Sequence, residues 1–173
     1  MKFILSFIGV AIIAVAVLFC GQTNNVDDDY MRIHIVANSN SVEDQNLKYL
    51  VKDAVVEFLI PILADAKNKD QAKDLLVENV EKIEEVANVV LKTEGVDYFA
   101  SVSIKNEEMP TRAYNNLVLE SGVYESLNIA LGDAKGDNWW CVVFPAVCFV
   151  DTKNYENLEY ISKILDTIYR VTN

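Results

Sequence analysis

The sequence predicts an α+β domain: a mostly antiparallel sheet with two long helices packed on one face and a C-terminal helix. Three observations predict it. A run with a β-branched core, Met31 to Ala37, opens the domain. Two long stretches with apolar residues at three-four spacing follow, between Ser41 and Gly95. The pattern then changes to period two through several short runs before a last amphipathic stretch near the C-terminus.

The opening run Met31-Arg32-Ile33-His34-Ile35-Val36-Ala37 reads as a strand. Ser41-Val42-Glu43-Asp44 has the form of a capping box, a serine cap with a carboxylate three residues on, so a helix starts there. Its apolar stripe is Leu47, Leu50, Val51, Ala54, Val55, Phe58, Leu59, Ile62 and Leu63, and Pro61 kinks or ends it. A second long helix is expected from the cap Asn68, with Gln71 three residues later. Its stripe runs from Ala72 to Leu91 and Gly95 is the stop. Tyr98 to Ile104 then alternates, Tyr114 to Leu119 and Val123 to Leu131 follow, and the short connections suggest antiparallel hairpins. Gly132 to Asn138 is a loop. Trp139 to Phe144 and Val147 to Val150 are two further apolar runs turned at Pro145. Leu158, Ile161, Ile164, Leu165 and Ile168 mark the C-terminal helix.

Ahead of the domain, Phe3 to Cys20 is apolar apart from Ser6 and Gly9, with Lys2 before it and Asp27, Asp28 and Asp29 after it. Residues 1–23 are therefore expected to be a secretory signal or a membrane anchor, residues 24–30 a polar linker, and residues 31–173 a single exported domain. The bulky Phe19 before Cys20 departs from the small residues that precede a lipidated cysteine.

The chain carries 26 acidic and 15 basic residues, a net charge of -11. Such a surface repels phosphate backbones, which sets nucleic acid aside as a partner. His34 is the single histidine, which rules out a metal site built from imidazoles and a histidine acid-base pair. Ser39 and Ser41 lie near His34, but they are expected to cap or turn the chain rather than to act as nucleophiles. Gly132-Asp133-Ala134-Lys135-Gly136 lacks the Gly-Lys-Ser/Thr ending of a phosphate loop and leads into Trp139-Trp140 rather than a helix. No catalytic residue, cofactor, metal or small-molecule substrate is therefore expected. On an exported domain Cys141 and Cys148, across Phe144-Pro145, are expected to form a disulfide; two buried free cysteines are the alternative. A strand at Trp139-Trp140 would send the indoles to opposite faces, against the alternative that both pack inside.

Several motifs together carry a resemblance. His34 to Ser41, Glu43-Asp44-Gln45, Leu47-Lys48 and Val51 to Val55 form the first part. Pro110-Thr111-Arg112 with Tyr114 forms the second, and Gly122, Tyr124, Glu125 and Leu127 the third. The most specific is Asn138-Trp139-Trp140-Cys141-Val142-Val143-Phe144-Pro145 with Cys148-Phe149. The set resembles the stage II sporulation protein R family, from about Arg32 to Asp151. The chain departs from that pattern at Asn40, Met109, Glu120-Ser121 and Ala134, the last standing where the family has a loop glycine.

The resemblance implies a non-enzymatic signalling protein made in the forespore and exported into the space between the forespore and mother-cell membranes. Its implied partner is a membrane-bound aspartic protease that cleaves the precursor of sigma factor E. Arg112, Tyr114, Asn138, Trp139 and Trp140 are the residues expected to form or support that contact, since indole and guanidinium groups dominate interface energies. The alternatives are a membrane-anchored binding module, or a cell-wall enzyme, which would need two converging carboxylates.

Overall fold

Strand β1, Met31–Val36, is buried along almost its whole length, which places it inside a sheet rather than at an edge. A computed structural model describes residues 29–114 and 117–147; the N-terminal apolar segment, Cys148 and the expected C-terminal helix lie outside the described residues. Helix α1 spans Val42–Leu63 and its cap is Ser41, whose side chain accepts from the Asp44 backbone N–H at 3.1 Å. The helix runs two residues past Pro61, and its buried face is the predicted stripe with Asp44, Lys48 and Val56 added and with Leu50 and Ile62 only half-buried.

The second expected helix is two. Helix α2, Lys69–Glu78, is capped by Asn68, which accepts from the Gln71 N–H at 2.9 Å. It ends at Asn79, whose backbone leaves helical geometry at φ -112 and ψ 9. The Asn79 amide donates to the Leu75 carbonyl at 2.8 Å, and helix α3, Val80–Thr93, begins immediately after. Apolar spacing continues through the break, so periodicity alone did not register it.

Among the described residues, four strands form the main sheet in the order β2-β5-β1-β6, with β2 at Ala100–Met109, β5 at Gly122–Leu131 and β6 at Asn138–Phe144. A small hairpin, β3 (Arg112–Tyr114) and β4 (Leu117–Leu119), interrupts the connection from β2 to β5. The expected antiparallel pairing is present for β2 with β5 and for β1 with β6. The central pair, β1 with β5, is parallel, so the sheet is mixed. The three helices cover one face. There Met31, Ile33 and Ile35 of β1, Leu127 and Ile129 of β5, and Cys141 and Val143 of β6 meet Val51, Val55, Leu59, Ile83, Val86 and Val90. Edge strand β2 is held by α3: Asn88 Oδ1 accepts the Ala100 N–H at 2.8 Å and Glu84 Oε2 the Val102 N–H at 2.9 Å, which blunts the start of that edge.

Strands β5 and β6 are consecutive in sequence but flank β1, so the loop between them crosses the end of β1. Gly136 N–H donates to the Ala37 carbonyl at 2.9 Å and Lys135 N–H to the Asn38 carbonyl at 3.1 Å. Asn38 and Asn40 accept from the Asp133 and Asp137 N–H groups at 2.9 and 2.6 Å. A Cβ on Gly136 would lie 2.2 Å from the Ser39 carbonyl oxygen, which explains why glycine stands there. Asp44 anchors the other side of this crossing, accepting from Asn38 at 2.9 Å, from Tyr98 at 2.6 Å and from Ser39. The serines and the glycine-containing loop thus act in turns and caps, as expected.

Candidate functional site

Strand alternation gives the sheet a second face. On β1 it carries Arg32 and His34, on β5 Tyr124, Ser126 and Asn128, on β2 Glu107, and on β6 Asn138, Trp140 and Val142. The β3–β4 hairpin covers one end, where Met109, Leu119, Tyr124 and Val142 form a second small core with Tyr114 and Trp140 packed on it. The remainder is a polar cluster.

His34 is its centre. Nδ1 lies 3.1 Å from Glu107 Oε2 and 3.0 Å from Asn128 Nδ2, and Nε2 lies 2.7 Å from Asn138 Oδ1. The Trp140 ring stacks on the imidazole at a centroid distance of 5.4 Å and 18° between planes. The other Glu107 oxygen accepts from the Ser126 hydroxyl. Burial pushes the Glu107 carboxyl up. The hydrogen bonds from Ser126 and His34, with the charges of His34 and Lys105, outweigh that and hold it below the ordinary value. Glu107 is the carboxylate of this cluster, whereas a glycosidase-type site pairs two.

Arg32 is fully buried beside it. Its guanidinium donates to the Pro110 carbonyl at 3.3 Å and the Tyr114 hydroxyl at 3.0 Å, and lies 4.8 Å from the centre of the Tyr124 ring. Arg112 is exposed on the hairpin, 4.5 Å above the Trp140 ring, and donates to the Thr111 carbonyl at 3.3 Å.

His34, Arg112, Tyr114, Tyr124, Asn138 and Trp140 from the motif segments therefore meet on this face, while Leu47, Val51, Ala54, Val55 and Leu127 of the same motifs build the helix-side core. A model of the family described as stage II sporulation protein R matches residues 27–154, a span that contains every strand and helix described above. The chain belongs to that family. Stage II sporulation protein R of Bacillus subtilis (strain 168) is 35% identical over 131 residues, which is 76% of this chain and 58% of that protein. The chain thus spans less than two thirds of the length of this relative. No solved structure matches the chain.

In this stage II sporulation protein R family member, Arg112, Tyr114, Asn138 and Trp140 share one face, linked through His34 and Arg32. Trp139 does not join them: it points to the helix side, packs against the main core and has Lys52 Nζ 5.9 Å from its ring. The two indoles occupy opposite faces, as alternation predicts. The sequence reading missed Arg32, Glu107, Ser126 and Asn128 as members of the cluster. The available signal was parity: polar residues of one parity in β1 and β5 oppose apolar residues of the other. Glu107, inside the run Asn106-Glu107-Glu108, carries no local mark of burial.

Proposed function

We propose that this chain is an intercellular signal of sporulation. It is exported from the forespore, held to or released from the membrane through residues 1–23, and activates the membrane-bound aspartic protease that cleaves the sigma-E precursor. The observation that carries this reading is the match to stage II sporulation protein R across the whole described domain. The geometry of the polar face supports a contact role. The side chains around His34 bond to one another: Ser126 gives its hydroxyl to Glu107, and His34 is held between Glu107, Asn128 and Asn138. A cluster bonded in this way is a rigid platform for the exposed Arg112 and the half-buried Trp140.

The test is a deletion of the gene followed by complementation, with processing of the sigma-E precursor as the readout. Wild-type protein is expected to restore processing. Arg112→Ala is expected to lose most of it while its thermal midpoint stays within a degree or two, since truncating an exposed side chain seldom costs more than about 0.5 kcal/mol. Loss of a central interface arginine costs roughly 2 kcal/mol of binding. Normal processing in the deletion strain would remove the reading, and full activity of folded Arg112→Ala would remove this face from it.

A further inference from the structure

Charge on the polar face runs opposite to charge on the molecule. The chain carries -11, yet this face gathers Arg32, Lys105 and Arg112 about the inward-turned Glu107, with Glu120 bonded to Thr111 at its rim. Of the three arginines in the sequence, two are here. Glu107 does little to neutralise the others outward, because its oxygens turn inward to Ser126 and His34, with Lys105 Nζ at 3.5 Å.

Arg32 is the unusual member. Its guanidinium is fully buried, its partners are two neutral oxygens and a ring, and its Nε is buried with no hydrogen-bond partner among the described residues. A buried cation whose direct partners among the described residues are all neutral projects a field that water and salt screen poorly. Arg112 is held above this field by the Trp140 ring, with one N–H given to Thr111. Five N–H donors form the guanidinium fork, so an edge remains for a planar anion. Stacking fixes that edge before any partner arrives.

We propose that this face recognises a carboxylate-bearing segment of the partner protein, an aspartate- or glutamate-containing peptide. Arg112 is the direct ligand, Lys105 supplies a second charge and Arg32 sets the background potential. The inference rests on the reading of the chain as a protein ligand and adds the chemistry of the segment that it meets. A short acidic segment feels the local field within about 8 Å, whereas extended polyanions such as an anionic bilayer also meet the acidic remainder of the surface.

The test uses the full-length protein in an uncharged detergent and a dye-labelled peptide of alternating glycine and glutamate, with a glycine-glutamine peptide as the neutral control. The glutamate peptide is expected to bind saturably with a Kd of about 1 mM or tighter, and to weaken as salt is raised. Arg112→Gln is expected to weaken it about tenfold or more, with Arg112→Lys between that variant and wild type. Lys92→Gln, an exposed lysine on α3, is expected to leave it unchanged. Equal binding of the glutamine peptide, wild-type affinity in Arg112→Gln, or no saturable binding at that strength would each overturn the proposal. The same variants in the processing assay separate the two ideas. Lost peptide binding with retained processing overturns the assignment of that segment to the signalling partner and leaves the signalling reading in place. Lost processing with unchanged peptide binding overturns the carboxylate site and leaves the signalling reading in place.

Discussion

Asp44 accepts hydrogen bonds from the side chains of Asn38, Ser39 and Tyr98 while Ser41 caps its own N–H, so one carboxylate ties β1, α1 and the approach to β2 together. Burial raises its pKa, and the bonds from Ser39, Tyr98, Asn38 and Ser41 outweigh burial and leave it below the ordinary 3.8. A carboxyl with a lowered folded-state pKa stabilises the fold at every pH above the unfolded value. That contribution drains away as pH falls through the unfolded value towards the folded one. Asp44→Asn is therefore expected to cost about 2–3 kcal/mol at pH 7. The gap to wild type should narrow in acid below the ordinary value. Urea unfolding at pH 7 and near the acid limit of the native state measures both, and a gap independent of pH would refute the assignment. Ser41 and Asn68 were legible as caps because a cap is a local event, decided within three or four residues. The buried bond from Tyr98 was not, since nothing near Asp44 in sequence announces a phenol on the far side of two helices.

The loop between β5 and β6 shows what an element costs when it must pass over another strand. Gly136 packs on the Ser39 carbonyl with no room for a Cβ, so Gly136→Ala is expected to destabilise by about 2 kcal/mol or more, because backbone stands in the way. Gly95 is the control: its φ is +79 but nothing lies within 4 Å, so Gly95→Ala should cost only about 1 kcal/mol of backbone strain. Ala134 sits at φ 51, the left-handed region that favours glycine. Ala134→Gly is accordingly expected to raise stability by about 0.5–1 kcal/mol, strain relief exceeding the added freedom of the unfolded chain. Thermal midpoints of the three variants rank them; Gly136→Ala melting above Gly95→Ala would contradict the packing argument. At this scale the alternating faces were readable from period two, and the split of Trp139 from Trp140 with them, but the single run Tyr114 to Leu119 bridges the two paired strands β3 and β4. Helix α2 ends at Asn79 through a side-chain bond that no apolar pattern encodes. The parallel pairing of β1 with β5 was equally hidden, because His34 meets Asn128 and Asn138 from 94 and 104 residues away.

For the molecule as a whole, α+β with helices on one face was legible. The second face was not, because its members come from four strands and a hairpin and converge only when the register is known. The acidity and the cationic face also separate at this scale, the first visible in composition and the second only in placement. Compartment belongs here too. Cys141 is disulfide-bonded and 7% exposed, and we propose Cys148 as its partner and an oxidising destination for the domain. Closing that short loop is expected to contribute roughly 2–3 kcal/mol by chain entropy. Peptide mapping of unreduced protein after alkylation is expected to find neither residue labelled. Two labelled thiols in folded native protein would sink both the bridge and the argument for an oxidising compartment that rests on it.

A strand that is first in sequence and central in the sheet has a consequence for delivery. Under the export reading, the chain leaves the cytoplasm N-terminus first, and β1 crosses early without either neighbour to pair with. Its partners in β5 and β6 follow only after the three helices and β2 have passed. The sheet is therefore unable to close behind the membrane on the first half of the chain, and the polypeptide stays threadable until its last strands are in transit. The same order withholds the Arg112–Trp140 stack until β6 docks, so a chain stalled before β6 would present no finished surface to a receptor.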